Sequence, residues 1–269
     1  MPLVVCATPI GNLEDVTLRV LRELREADLV LCEDTRRTRV LLGHYGIDAK
    51  LLSYERHSEA RRTAEIIPRL EHGERIALVS DAGLPGVNDP GARLIDEVLA
   101  RELEVTVLPG PSAVETALVA SGLGGGRYVF VGYVPRAAAA RSALWQELAG
   151  WGVAAVAFES PRRLPATLAS LAEQSPDRPV TVCRELTKRF EQILRGTAAD
   201  LALRFTEPAK GEITLVIGCI PRQRSMHDLD RAAAAVGELA AAGVPRRQAS
   251  RIVGELTEVS ANQLYRASL

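Results

Sequence analysis

The chain has 269 residues, 47% of them hydrophobic and 25% charged, with a formal net charge of −1. That is a globular composition, long enough for two domains of usual size. It excludes a membrane-spanning helix, because no run of roughly 18 apolar residues occurs. It also excludes a uniformly basic nucleic-acid coat, so any nucleic-acid surface must be a local basic patch offset by acid elsewhere.

The first residues run directly into a strand-like stretch without a charged-then-apolar leader, so no export signal is expected. Cys6, Cys32, Cys183 and Cys219 lie in apolar runs without ligand spacing and predict core thiols in a reducing cytoplasm. His44, His57, His72 and His227 are scattered, so a histidine metal site is not expected.

In chain order, residues 3–6 predict a strand and 17–27 a helix, with Leu18, Leu21 and Leu24 at helical spacing. Strands at 29–32, 50–54, 75–80 and 104–108 then alternate with helices at 38–45, 58–72, 90–101 and 112–121. This alternation predicts right-handed βαβ units and a parallel sheet. Gly122-Leu123-Gly124-Gly125-Gly126 reads as a hinge, giving domains at 1–121 and 122–222. It is no dinucleotide fingerprint, since it lacks the sixth-position Gly and precedes a strand, and no GxxxxGK[ST] loop occurs. Beyond it, 128–134, 153–158, 180–183, 191–196 and 213–220 read as strands, and 137–149 and 162–173 as helices. Little helix between the last two strands predicts a mixed sheet. Residues 223–269 form a third region with helices at 228–242, 245–256 and 260–269, Gly243 as a stop and Pro245 at a start. It is either a helix-turn-helix-like nucleic-acid module or a capping bundle.

Three loops stand out. Val79-Ser80-Asp81-Ala82-Gly83-Leu84-Pro85-Gly86 turns a buried strand into a glycine-rich lip bearing a carboxylate. Ala7-Thr8-Pro9-Ile10-Gly11-Asn12 and Pro109-Gly110-Pro111-Ser112-Ala113 also follow strands. Together they mark the carboxyl edge of a parallel sheet, where α/β proteins bind small molecules, and their glycines admit a ligand close to the backbone. Taken singly, each could be a plain strand-to-helix loop. Of 33 basic residues only Lys50, Lys188 and Lys210 are lysine. A lysine can lose its proton when desolvated and an arginine in practice cannot, so a lysine in a motif loop is a candidate for a specific role; chance placement is the alternative.

These loops, with Glu33-Asp34-Thr35-Arg36, Asn88-Asp89-Pro90-Gly91, Phe158-Glu159-Ser160-Pro161, Arg184-Glu185-Leu186-Thr187-Lys188 and Lys210-Gly211-Glu212, resemble the tetrapyrrole-methylase superfamily. Within it they look like the ribosomal RNA branch, whose members 2′-O-methylate a cytidine in the decoding region of the small subunit. The resemblance covers almost the whole chain, including Gln263-Leu264-Tyr265 near its end. It implies two α/β domains with S-adenosylmethionine in the cleft between them, a homodimer, and ribosomal RNA or the small subunit as partner. By position, Thr8, Pro9, Asp81, Ala82, Gly83, Ser112 and Ala113 would line the cofactor from the first domain. Leu186, Lys210 and Gly211 would approach it from the second.

The implied chemistry is an in-line attack of the ribose 2′-oxygen on a sulfonium methyl, which needs alignment and a proton acceptor but no metal. Glu159, Glu185 and Lys188 are the catalytic or orienting candidates, with structural ion pairs as the alternative. Lys188 would serve either as a base with a lowered pKa or as an ammonium beside the developing alkoxide. Arg36, Arg37, Arg163, Arg184, Arg246, Arg247 and Arg251 are expected phosphate contacts. The chain departs from the family at Leu84, where Thr is usual, at Tyr54-Glu55-Arg56-His57-Ser58, at Arg162 and at Ala137 to Ala140. Two rival readings stand beside this one. A macrocycle methylase would carry a Gly-rich, Asp-ended turn where this chain has Thr8-Pro9-Ile10-Gly11-Asn12. A non-catalytic RNA-binding protein on a dead methylase fold is favoured only by Leu84.

Overall fold

Three four-residue apolar runs, β1 (Leu3–Cys6), β2 (Leu29–Cys32) and β4 (Ile76–Val79), are buried along their whole length, as central parallel strands are. With β3 (Leu51–Ser53) and β5 (Val105–Leu108) they form an all-parallel sheet in the order β3-β2-β4-β1-β5. The computed structural model describes residues 3–219, 226–257 and 259–269, and the chain divides into two compact units, 1–219 and 220–269.

Helices α1 (Leu18–Glu26) and α2 (Thr35–His44) cover one face of this sheet, with Leu21, Leu24 and Leu41 packed on Val4, Cys6 and Val30. Helices α3 (Glu59–Glu71) and α4 (Ala92–Ala100) cover the other, with Ile66, Leu70 and Leu94 on Leu3, Val5 and Leu31. The connections leaving the adjacent strands β1 and β4 therefore depart to opposite faces. Right-handed crossovers dictate that divergence, and it opens a crevice between the two carboxyl ends.

The second sheet runs β6 (Tyr128–Tyr133), β7 (Ala154–Glu159), β10 (Ile213–Ile217), β8 (Pro179–Arg184), β9 (Gln192–Thr197). β6 is parallel to β7 and the remaining pairs are antiparallel, the mixed arrangement expected. Helices α6 (Ala138–Gly150), α7 (Leu164–Gln174) and α8 (Ala198–Arg204) cover one face, burying Trp145, Leu168 and Leu201. The opposite face takes α5 (Ala113–Ser121), whose Val114 and Ala117 pack with Val156, Cys183 and Val216. Both faces of the first sheet are already covered by α1 to α4. The apolar α5 therefore buries itself on the second sheet and joins the two.

Two local details depart from expectation. α2 begins at Thr35 rather than at residue 38, because the Asp34 carboxylate accepts the Arg36 amide at 2.8 Å and caps the helix earlier. The short α8 was not foreseen; Thr197 and Asp200 cap each other's amides there in a reciprocal box.

In the second unit, α9 (Met226–Ala241), α10 (Arg246–Thr257) and α11 (Ala261–Ala267) share a small core of Val236, Ala249, Val253, Val259 and Leu264. A Cβ on Gly254 would lie 2.7 Å from the Val259 carbonyl oxygen, so only glycine lets the chain turn this closely against α10. The expected boundary near residue 222 lies outside the described residues. Among those described, no helix is long and apolar enough to cross a membrane.

Candidate functional site

The three loops predicted to share a sheet edge do so. Thr8 and Gly83 form a two-way bridge: Thr8 N donates to Gly83 O at 2.8 Å and Gly83 N to Thr8 O at 3.0 Å. The Thr8 hydroxyl donates to Ser80 O at 3.0 Å, locking the loops after β1 and β4 together. Gly83 has φ 80°, and a Cβ built on it would stand 3.7 Å from Pro111 O and 3.8 Å from Ile10 Cγ2. Gly110 lies so close to Ala7 that a Cβ would come within 2.8 Å of the Ala7 Cβ. Pro9 is buried beneath these loops, and Ala82 and Ala113 pack with Ile10 and Leu186. The result is a cradle of backbone and small apolar side chains. Ser112, at the start of α5, donates its hydroxyl to Glu115.

Asp81 faces outward from the cradle: it accepts the Asp34 amide at 3.0 Å and lies 3.5 Å from Arg37. With Glu33, Asp34, Ser53, Glu55 and His57 it lines a cavity of about 650 Å³ over the ends of β2 and β3. Leu84 leaves the cradle altogether and packs on the core under α3 and α4.

The second sheet closes on this edge through the loop after β8. A Cβ on Gly11 would fall 2.5 Å from Lys188 Cγ and 2.8 Å from Leu186 O, and Asn12 N donates to Thr187 Oγ1 at 3.0 Å. Glycine at position 11 is what lets the two loops touch. Lys188 Nζ donates to Glu185 Oε1 at 2.9 Å and to Glu212 Oε2 at 3.0 Å, while Glu212 N donates to Glu185 Oε1 at 2.9 Å. Burial is the strongest single influence on Lys188 and pulls its pKa down, but the two carboxylates together prevail and raise it above the ordinary lysine value. Of the two behaviours expected for Lys188, this environment favours the ammonium over the base with a lowered pKa. Glu185 is likewise desolvated, yet the Glu212 amide and Lys188 hold its carboxyl below the usual range.

Two further candidates pair with each other. Glu159 is buried, and its carboxylate is taken up by the Ser160 amide, Thr167 hydroxyl and Arg163 guanidinium. It fastens the start of α7 and has no face toward the cleft. Arg163 also donates to Val134 O at 3.0 Å, so its guanidinium is engaged in the same contact while its side chain stays 25% exposed. Arg36 pairs with Asp34 at 2.7 Å but remains 85% exposed, and Arg184 bonds Gln192 and Lys210 O. Lys210 itself is exposed, and Gly211 lies against the Glu185 side chain. In the second unit Arg246 donates to Ser268 O, whereas Arg247 and Arg251 are exposed.

The sequence singled out no role for Asp89, Glu33 or Tyr133. Burial, then Glu33, raises the Asp89 pKa to about 6, with Ser80 opposing and Asp81 adding to the rise. Tyr133 closes β6 opposite them: a Cβ on the neighbouring Gly132 would lie 3.0 Å from Asn88 Oδ1. Partial desolvation, then Asp89, Glu212 and Glu33, raise the Tyr133 phenol, though its side chain stays largely open. Carboxylates of both sheets, Asp89 and Glu33 of the first and Glu212 of the second, therefore act on one phenol. The Asn88-Asp89-Pro90-Gly91 motif was a visible signal for Asp89; Tyr133 had none, because its place depends on the register break between Phe130 and Tyr133.

Residues 2–202 match the model of the Tetrapyrrole (Corrin/Porphyrin) Methylases. The chain belongs to this family. Within it, the chain is 43% identical to the Ribosomal RNA small subunit methyltransferase I of Thermotoga maritima, over 80% of this chain and 97% of that protein. It is 42% identical to the protein of the same name from Synechocystis, over 99% of this chain and 97% of that one. Two solved methylases share the fold. A cobalt precorrin-4 methyltransferase has a TM-score of 0.60 at 19% identity, covering 80% of this chain and 94% of that chain. A uroporphyrin-III C-methyltransferase from Thermus thermophilus, complexed with S-adenosylhomocysteine, has a TM-score of 0.58 at 16% identity, covering 81% of this chain and 97% of that chain.

Proposed function

We propose that this chain transfers a methyl group from S-adenosylmethionine to the 2′-oxygen of a cytidine in the decoding region of small-subunit ribosomal RNA. We further propose that it does so in the cytoplasm as a homodimer, with the third region, 223–269, helping to hold the RNA. The observation that carries the reading is identity of 42% along 99% of the chain to a ribosomal RNA small subunit methyltransferase, a span that takes in the helical region after residue 222. Identity to the solved macrocycle methylases is lower, at 16–21% over 80–81% of the chain.

When bound, S-adenosylmethionine supplies an activated methyl: a C–O bond forms as the C–S bond breaks, and the sulfide leaves neutral. The cradle of Thr8, Pro9, Ala82, Gly83 and Ala113 would take its adenine, a reading supported by its small, apolar lining, with Leu186 closing from the second sheet. Asp81, on the outer side of the cradle, and Ser112 and Gly211 would complete the cofactor's surroundings. The Lys188 ammonium, fixed by Glu185 and Glu212, is suited to steady negative charge growing on the 2′-oxygen. Asp89, with a pKa of about 6, is the carboxylate best matched to accept the hydroxyl proton near neutral pH. Arg36, Arg37 and Arg184 stand around the cleft as phosphate contacts.

The test is methyl transfer by the purified chain from radiolabelled S-adenosylmethionine, offered small subunits lacking the mark, a naked decoding-region transcript, and uroporphyrinogen. One alkali-resistant 2′-O-methylcytidine in the RNA is expected. Label in the macrocycle, or none in RNA, overturns the reading.

A further inference from the structure

The connection from β8 to β9, residues 185–191, presents an aromatic side chain that the chemistry above leaves unused. Phe190 is 67% exposed, in a chain with only four phenylalanines. The Arg189 guanidinium lies 5.5 Å from the centre of its ring, within cation–π reach. A lone exposed apolar side chain needs no explanation; three features set this one apart.

The turn beneath it is fixed. Lys188 N donates to Glu185 O and Glu191 N to Lys188 O, each at 3.0 Å, and Thr187 N donates to Glu191 Oε2 at 2.7 Å. Glu185 and Thr187 also hold left-handed backbone at φ 53° and 64°. The hairpin has a cationic excess: Arg184, Lys188, Arg189 and Arg195 stand against Glu185 and Glu191. Arg184 bonds Gln192 and Lys210 O, and Arg195 bonds Ser121 O and Ala120 O. The Arg189 guanidinium beside the ring has, among the described residues, no carboxylate within ion-pair distance. The position is adjacent to the site: Leu186 to Lys188, in the same turn, press against Gly11 and Asn12.

We propose that Phe190 and Arg189 form a stacking platform for one unpaired base of the RNA, beside the nucleotide whose ribose enters the cleft; this rests on the RNA reading above. Phenylalanine offers no hydrogen bond, so it can select only a π face or an apolar surface, and the cationic rim favours a polyanion over an apolar protein surface. A ribose can reach a cleft lined by loop backbone only if its strand is splayed from its neighbours. The base that loses its stacking partner regains one on the ring, while the guanidiniums meet the flanking phosphates.

The experiment compares the full chain with Phe190→Ala, Phe190→Trp and Phe190→Leu on a decoding-region transcript carrying 2-aminopurine at successive positions around the methylated cytidine. Single-turnover methylation, cofactor affinity and oligomeric state are measured for each. Phe190→Ala is expected to weaken RNA binding about tenfold, within the range for one stacked base. It should also abolish the quenching of 2-aminopurine at one position, with cofactor affinity unchanged. Trp should restore both and Leu neither. An Ala variant that binds and quenches like the parent overturns the platform, as does rescue by Leu equal to Trp. A shift of the Ala variant to a smaller oligomer would instead make Phe190 a contact between copies and also overturn it. A parent that methylates no RNA overturns the functional reading itself, an outcome distinct from all of these.

Discussion

The Glu185 side chain occupies the space that any side chain on Gly211 would need. Gly211 also sits at φ 90°, so the position is glycine on two independent grounds, backbone conformation and close approach. The contact lets the Glu212 amide and the Lys188 ammonium share one Glu185 oxygen. Gly211→Ala should therefore break the cluster, lowering stability by about 2 kcal/mol in denaturant titration and reducing methyl transfer far more than cofactor affinity. An alanine variant that melts and turns over like the parent would show that the knot is slack.

Lys188 and Lys210 are expected to part company. Lys188 is ringed by two carboxylates at 2.9 and 3.0 Å, a geometry built for a compact ammonium rather than a planar fork. Lys210 is exposed and, among the described residues, its ammonium joins no ion pair. Lys188→Arg should slow single-turnover methylation about tenfold, roughly 1.4 kcal/mol in the barrier; Lys210→Arg should change it little. Because the Lys188 pKa is raised, its contribution to stability is complete at neutral pH and is lost only as pH climbs through that raised value. No activity limb near neutrality should trace to it.

Much of this was legible in the sequence, and particular residues show where legibility stopped. The strands at 3–6 and 29–32 coincide with β1 and β2 because continuous apolar runs between turn residues leave little choice. The converging loops 7–12, 80–83 and 109–113 were marked by their Gly and Pro. Glu159 and Arg163 look as exposed in the sequence as any carboxylate and guanidinium; only the packing of α7 reveals that each consumes the other. Lys188 carried two possible protonation behaviours, and the choice came from Glu212, 24 residues away. Long-range pairing of charges is what a single sequence hides.

Asp89 gives a pH signature of the opposite kind to Lys188. Its pKa rises from 3.8 to about 6, burial first and Glu33 next, with Asp81 adding to the rise and Ser80 and Arg56 opposing. The folded state therefore favours the protonated acid: the stabilisation is complete below about pH 4 and is lost as pH rises through about 6. Asp89→Asn should then stabilise the protein at pH 8 by about 2 kcal/mol and leave it unchanged at pH 4. In methylation, the same variant should remove the acid limb centred near pH 6 along with most of the rate. Retention of that limb would assign the proton to another group.

The helical region separates its arginines by role. Arg247 and Arg251 are four residues apart on α10, hence on one face, and both are exposed. Arg246 instead donates to Ser268 O at the end of α11, tying that helix to α10. With a net charge of −1, the chain has no general attraction for RNA, so two cations on one face constitute a local patch. Arg247→Ala and Arg251→Ala should each reduce the slope of log affinity against log salt by about one, uniformly across RNA sequences. Arg246→Ala should leave that slope alone and loosen the three-helix core, seen as faster amide exchange around Leu264. If the slope is the same in the parent and in the double variant, this region caps the fold and the phosphate contacts lie elsewhere, at Arg36, Arg37 and Arg184.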